Sequence, residues 1–495
     1  MPDRTLSLSI SGMFDDLRDY IFDLPLHGLV AQLFGIIGFL LALALVARLM
    51  SEKRAPANTF AWLLIIILVP WVGVPLYLLL GGRKLRRLAK QKSRLRPKLP
   101  AGATDPTTTA WTPTIQTLVS SGAPPPVSGN SMYLLVTGEN AYANLEHHIR
   151  NARTHIHITA FILGRDDTGR RLVKLLAERA SEGVKVRLLL DAVGCMFSSG
   201  LFVNPLRRAG GEVSRFMPVL PLTSRSSANL RNHRKIAVFD HDTAIVGGHN
   251  LAREYMGPSH FAKRFQDFGA VIHGPAAALL NEVFIADWCF ATRQSADDLH
   301  AEIPPRAPSP ARERSELQVV ASGPDVPGDA LYEGIISMIQ EADKNILIVT
   351  PYFIPDDVLL RSLIVKARAG CEVTLITPRR SNHPVADFAR KHYVRELQRA
   401  GAQVLLYTHG MLHSKAMIVD DQIALIGSPN FDLRSLFVNF EIGVLVHTRR
   451  DVAAIKAWAV ALAGRCHAPK PERRRRHHIV SNLIEDLSRL LAPLL

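Results

Sequence analysis

The chain has 495 residues, room for two or three domains that each bury a core. Its four cysteines, Cys195, Cys289, Cys371 and Cys466, are scattered without a C-x-x-C, which argues against a disulfide framework or a cysteine zinc site and fits a reducing compartment. The formal charge of +15 is concentrated: nine basic residues and no acid lie between Arg83 and Lys98, four more run from Arg473 to Arg476, and the remainder is nearly neutral. A nucleic-acid-binding protein more often spreads such charge over a folded face.

From the N-terminus, a segment of residues 1–27 precedes two apolar runs within 28–82. Leu29 to Ala47 is 19 residues without a charge, and Phe60 to Leu80 is 21. Each matches the roughly 20 residues that cross a bilayer as a helix. The first run starts too far from Met1, behind Asp-rich sequence, to read as a cleaved signal peptide. Pro70 and Pro75 leave a kinked or re-entrant second segment open. The basic stretch that follows suits anionic head groups, and the positive-inside rule places the C-terminal bulk in the cytoplasm.

Residues 83–130 form a basic juxtamembrane segment and linker, rich in Pro, Thr, Ser and Gly from about Asp105, with room for one or two helical turns. A second break, "IPPRAPSPARE" from Ile303 to Glu313, makes 303–314 a linker that divides the remainder into lobes at 131–302 and 315–495. The lobes repeat one order of elements. "HIHITAFIL", "GRRLVKLLAERASEG" and "VKVRLLLDAV" read as strand, helix and strand, and "NILIVTPYFI", "VLLRSLIVKARAG" and "CEVTLITP" follow the same course. The fold class expected is α/β: two similar lobes with mostly parallel or mixed central sheets covered by helices, behind two transmembrane helices.

Each lobe carries one copy of a pattern, "NHRKIAVFDHDTAIVGGHN" and "LHSKAMIVDDQIALIGSPN". From His233, Lys235 lies at +2, Asp240 at +7, Gly247 at +14 and Asn250 at +17; Lys415, Asp420, Gly427 and Asn430 stand at the same offsets from His413. A single H-x-K is common by chance, whereas two copies matching at five positions in matching lobes are not incidental. On a strand, positions i and i+2 face the same side. Imidazole and ammonium therefore project together, and the Gly-rich return brings the carboxamide back towards them.

Two such sets suit covalent phosphoryl-type transfer. One imidazole attacks phosphorus, the other protonates the leaving oxygen, and two Lys and two Asn surround the developing charge without a metal. There is no carboxylate cluster or H-E-x-x-H helix, so a metal site is not expected. A catalytic His needs an acceptor for its other nitrogen. Asp267 in "FQDFG" after the first copy and Glu441 in "NFEIG" after the second are the candidates; their offsets, 34 and 28, differ, and an ordinary surface acid is the alternative for each.

The two copies match the H-x-K-x4-D and G-[GS]-x-N signature of the phospholipase D superfamily, which the chain thereby resembles. The likeness is closer to bacterial cardiolipin synthases, carried by the paired apolar runs, "NLRNHRKI", "GGHNLAREYMG", "TPYFIPDD", "LHSKAMIVDD", "NFDLRS", "NFEIG" and the terminal "LAPLL". It departs after "HIHI", where Thr159 and Ala160 stand in place of an acidic and an aromatic residue before Phe161. The resemblance implies a cofactor-free phosphatidyltransferase of the bacterial cytoplasmic membrane, its lobes on the cytoplasmic side. It would pass the phosphatidyl group of one phosphatidylglycerol to a second, through a phosphatidyl-histidine on His233 with His413 as acid and base, giving cardiolipin and glycerol. Lys235, Asp240, Lys415 and Asp420 belong to the implied catalytic set. Its partners are then phosphatidylglycerol and anionic membrane lipids, with no nucleic acid and no metal; oligomeric state stays open.

Further residues have two readings each. Ser428, where the first copy has Gly248, could give a hydroxyl to phosphate or simply make a turn. Arg434 and Ser435 could touch phosphate, or Arg434 could brace a helix start. Arg225, Arg231 and Arg234 surround the first motif, as attractors of lipid phosphate or as structural groups. The tail "IVSNLIEDLSRLLAPLL" has an apolar helical stripe suited to the second lobe or to the bilayer beside Arg473 to Arg476. The same catalytic set would serve a lipid-hydrolysing phospholipase D or, though the apolar N-terminus argues against it, a nuclease.

Overall fold

The computed structural model describes residues 111–218, 229–303, 315–326 and 328–469, with scattered positions between 28 and 92. The chain forms two compact units, Met1–Arg83 and Lys84–Leu495. In the first unit the described positions are helical apart from Val69. Apolar side chains such as Phe39, Leu40, Leu68 and Trp71 are more than half exposed, while Ile66 and Val74 are buried. Among the described residues no helix is long and apolar enough to cross a membrane. Much of both apolar runs, with Pro70 and Pro75, lies outside the described residues, as do the basic stretch apart from Lys92, the break at 304–314, Arg473 to Arg476 and the C-terminal tail.

In the second unit the apolar runs become strands because they are buried on both faces. The strands are β1 (Val127–Leu135), β2 (His155–Ala160), β3 (Lys185–Asp191), β4 (Glu212–Phe216), β5 (Ile236–Phe239), β6 (Thr243–Gly247), β7 (Gly269–His273), β8 (Ser315–Ser322), β9 (Asn345–Val349), β10 (Phe353–Ile354), β11 (Glu372–Pro378), β12 (Gln403–Tyr407), β13 (Ala416–Val419), β14 (Ile423–Gly427), β15 (Phe431–Asp432), β16 (Glu441–Val446) and β17 (Cys466–His467). Fifteen form one mixed sheet in the order β17-β12-β11-β9-β13-β14-β16-β8-β1-β7-β6-β5-β2-β3-β4, and β10 pairs with β15 apart from it. Outward from the β1–β8 seam both lobes follow the same order, and β17 extends the second.

The sheet is mixed, as expected, but one expectation changes here. The lobes share one sheet rather than holding one each, because β1 and β8 pair antiparallel. Within the large sheet parallel pairing is confined to β2-β3-β4 and β9-β11-β12, and the pairs between them and the seam are antiparallel. Helical crossovers permit the parallel triplets, whereas the motif hairpins close with short turns that only antiparallel neighbours accept. The crossover helices start where Asp166 and Asp356 accept backbone N–H groups of the first turn, at Gly169 and Leu359. Buried Asn130 marks the seam: its amide donates to Val127 O and Ser315 O, and its oxygen accepts Ala276 N–H.

The stretch expected as linker is partly ordered structure. Thr112 caps a helix at Pro113–Ser120, and β1 starts at Val127, ahead of the expected boundary at 131. Although this helix precedes the first lobe, Leu118 and Ala123 belong to the core of the second, with Ile335, Met338 and Ile339. Thr114 and Ser121 donate to Glu341 and Glu333 there. The helix Pro275–Thr292 is buried around most of its circumference, as suits a helix covered on all sides, and its polar exceptions Asn281, Glu282 and Asp287 are all bonded.

Candidate active site

Each His-x-Lys segment lies just before a motif hairpin, in extended backbone bonded across to the other lobe. His233 N–H donates to Phe440 O and Phe440 N–H to Arg231 O; likewise His413 N–H donates to Gln266 O and Gln266 N–H to Met411 O. These two short bridges decide which acid meets which imidazole. His233 Nδ1 lies 2.8 and 3.0 Å from Glu441 Oε1 and Oε2, and His413 Nδ1 lies 2.6 Å from Asp267 Oδ2. Both pairs cross between lobes. The two acids singled out in the sequence are thus brought to the histidines, each serving the motif it does not follow.

All four groups are buried. Burial pushes His233 down to about 4, with Glu441 acting against it, and takes His413 well below the usual imidazole range, Lys415 adding to the effect. Burial would raise Glu441, but His233, Lys235 and the Ser428 hydroxyl outweigh it and hold the carboxyl low. Asp267 remains raised by its burial despite Lys415. Burial also lowers Lys235 to about 7 and Lys415 to about 8. Lys235 Nζ donates to His233 O at 2.7 Å. Lys415 Nζ lies instead against the His413 ring, 2.7 Å from Nδ1 and 3.0 Å from Nε2, and also donates to His413 O.

Both histidines open on a cavity of about 340 Å³ that Asn250, Asn430, Arg231 and Arg434 also line. Asn250 Oδ1 accepts Ile162 N–H at 3.3 Å. Phe161 meets the His233 ring edge to face at 4.9 Å, and Tyr255 meets His413 at the same distance. These rings, with Tyr352, Asn382, His383, Asp432 and Asn439, are cavity-lining residues that motif spacing missed. Tyr255 and Tyr352 lie in the quoted stretches "GGHNLAREYMG" and "TPYFIPDD", the one signal that could have found them.

Asp240 and Asp420 are not brought to the histidines. Each lies five residues beyond its lysine on an extended strand, about 16 Å of travel, at a turn where φ is 51° at both aspartates. Asp240 accepts the N–H groups of Arg153, Thr154 and His155, and Asp420 those of Asp343, Lys344 and Asn345. These backbone donors outweigh burial and lower both carboxyls. Their position corrects their inclusion in a reacting set: they tie each motif hairpin to the loop before β2 or β9.

The Ser428 hydroxyl is engaged with the protein's own groups. It is buried, donates to Glu441 and accepts Ile442 N–H at 3.0 Å. At Gly248, its counterpart, a Cβ would come within 2.1 Å of Asp267 Oδ1, so the carboxylate itself fills that space. Ser435 N–H donates to Asp432 at a helix start, and Arg434 donates to Asn229. Arg234 turns away from the cavity, donating to Asp287, Glu441 O and Ser322 O. Arg225 lies outside the described residues.

Beneath the cavity is a buried ionic cluster. Asp287 receives Arg234 at 2.5 Å, Lys92 at 2.8 Å and the Asn232 amide at 2.9 Å. Lys92 also pairs with Asp325 and lies 4.8 Å from the centre of the Phe440 ring. Where the sequence departs from the resemblance, Thr159 and Ala160 border a void of about 30 Å³ beside Lys235. Among the described residues, no group of three or more His, Cys, Asp and Glu could hold a metal ion.

A family model described as cardiolipin synthase, PLD-like domain, matches residues 145–288 and 335–462, and one described as Phospholipase_D-nuclease N-terminal matches 33–82. A cardiolipin synthase of Listeria monocytogenes serotype 4a is 30% identical over 485 residues, covering 94% of this chain and all of that protein. Another from Geobacillus thermodenitrificans is 32% identical over 479 residues, covering 94% and 95%. Among solved structures, phosphatidylserine synthase from Haemophilus influenzae Rd KW20 superposes with a TM-score of 0.60 at 16% identity, over 78% of this chain and all of the other, a likeness of fold.

Proposed function

Because the chain belongs to the cardiolipin synthase family of phospholipase D-like proteins, we propose that its two crossed His–carboxylate pairs transfer a phosphatidyl group from one phosphatidylglycerol to another. The observation that carries this reading is the pair of imidazoles, each with Nδ1 on a buried carboxylate of the other lobe. That hydrogen bond fixes the tautomer and leaves Nε2 as the reactive nitrogen.

His233 is the nucleophile in this reading. Its Nδ1 faces both oxygens of a carboxylate held low, and Lys235 bonds to its carbonyl rather than its ring. Nε2 attacks phosphorus, the P–O bond to glycerol breaks, and glycerol leaves with a proton from His413. The acceptor's terminal hydroxyl then gives its proton to His413, and its oxygen attacks phosphorus. The P–N bond breaks, its electron pair returns to His233, and cardiolipin forms. Lys235, Lys415, Asn250 and Asn430 neutralise charge on the equatorial oxygens, while Asp240 and Asp420 hold the hairpins. The apolar N-terminal runs and the basic stretch after them support a bacterial cytoplasmic membrane enzyme with its lobes on the cytoplasmic side.

The test is incubation with phosphatidylglycerol in detergent or liposomes. Cardiolipin and glycerol formed together are the expected products. Phosphatidic acid alone would make the protein a hydrolase, and no turnover would refute the reading. Full activity after replacement of either His233 or His413 would refute the two-histidine mechanism.

A further inference from the structure

The second lipid in this reaction is itself an anion. Its phosphate cannot share the cradle that already neutralises the first, because like charges in one small cavity repel. A second cationic concavity of about 630 Å³ adjoins the first, lined by Arg379, Arg380, Arg390, Lys391 and Arg395, with Asp387 the sole acid among the described lining residues. That acid is committed internally: one oxygen lies 3.2 Å from Arg390, and the other accepts Ser381 N–H at 2.8 Å. Arg390 in turn donates to Thr377 at 2.8 Å. Arg379 and Arg380 are exposed, and the Lys391 ammonium rests 4.9 Å from the centre of the Phe388 ring.

Both concavities share one wall. Asn382, His383 and Ala386 line the catalytic cavity, while Ser381, Pro384 and Asp387, interleaved with them, line the groove. A head group crossing this wall would span from Arg379 and Arg380 to the cavity that holds His413. We propose that the groove seats the phosphate of the acceptor phosphatidylglycerol while its glycerol reaches His413. The proposal rests on the transfer reaction above and adds the place where its second substrate binds. The groove contributes charge and position, and the bonds made and broken are those already described.

The experiment reads how the phosphatidyl group partitions. The full-length protein in phosphatidylglycerol vesicles, supplied with labelled free glycerol, passes the group either to a second lipid, as cardiolipin, or to glycerol, as labelled phosphatidylglycerol. The variant combines Arg379→Gln, Arg380→Gln and Lys391→Gln. Losing three charges, two exposed and one half-buried, worth a few-fold each lowers the ratio of cardiolipin to labelled phosphatidylglycerol by about tenfold, with glycerol exchange unchanged. An unchanged ratio overturns the proposal. A parallel fall of both products also overturns it, since the groove would then serve folding or vesicle attachment. A wild-type protein that forms neither product refutes the transfer reaction itself, a result distinct from an altered ratio.

Discussion

His233 takes its carboxylate partner from Glu441, 208 residues further along the chain and in the other lobe. With His413 on Asp267, neither lobe supplies both members of either imidazole–carboxylate pair at the cavity. The roles of the two pairs separate by substrate. If His233 is the nucleophile as proposed, Glu441→Gln removes its ionised acceptor and lowers turnover by about 10³- to 10⁴-fold, the scale set by loss of a tautomer-fixing carboxylate. Asp267→Asn acts on the proton donor, so it slows phosphatidylglycerol but spares a p-nitrophenyl phosphodiester, whose leaving group departs without a proton. Equal losses on both substrates in both variants would contradict the assignment.

The buried lysines give a pH signature. Their cationic form neutralises the phosphodiester, and burial lowers Lys235 to about 7 and Lys415 to about 8. The charged form exists below those values, so kcat/KM falls as pH rises through about 7 to 8. A bound anion raises both lysines, and kcat declines at higher pH than kcat/KM. Steady-state profiles in detergent check this; a flat kcat/KM from pH 7 to 10 contradicts it.

Asp240→Asn and Asp420→Asn keep a side chain suited to positive φ while removing the charge that receives three backbone N–H groups. Each partly exposed site loses about 1 kcal/mol of stability at neutral pH, with activity per folded molecule retained. The wild-type carboxyls are depressed, so their contribution is complete above the unfolded value and disappears as pH falls through the folded one. The gap between wild type and variant, measured by thermal unfolding, narrows below about pH 4.

Lys92→Met leaves the Asp287 and Asp325 carboxylates sharing the single charge of Arg234 beneath the cavity. Removing one partner of such a buried group destabilises by about 3 kcal/mol. Adding Asp325→Asn restores charge balance and recovers most of the loss. An unaltered melting temperature in the single variant would contradict a buried ionic role for Lys92.

Local spacing carried much of this. The two H-x-K hairpins, the repeated lobe order, and Asp267 and Glu441 as acceptors are visible because each lies within a short stretch. The crossing of the pairs is not, since it depends on bridges such as Asn232 with Phe440 that form between distant segments. The same holds for the shared sheet and for the helix Pro113–Ser120, whose apolar face is satisfied by the lobe it does not precede. Asp240 belongs to the catalytic set that the phospholipase D resemblance implies, and its offset is the same in both copies. A fixed offset equally suits a hairpin anchor, and only strand length separates the two. The bond from Ser428 to Glu441 is not legible beside the phosphate and turn readings, because the acceptor lies 13 positions away.

One amide far from the chemistry acts as a ruler for it. The β1–β8 seam joins the halves that carry the two histidines, and a slip of two residues would keep every side chain on its proper face. Hydrophobic patterning is blind to that error, yet it would displace one imidazole from the other by about 7 Å. Asn130 detects it, because its bonds to Val127 O, Ser315 O and Ala276 N can be made together in one alignment. Catalytic competence in this chain is thereby tied to correct registration of a seam that no substrate touches.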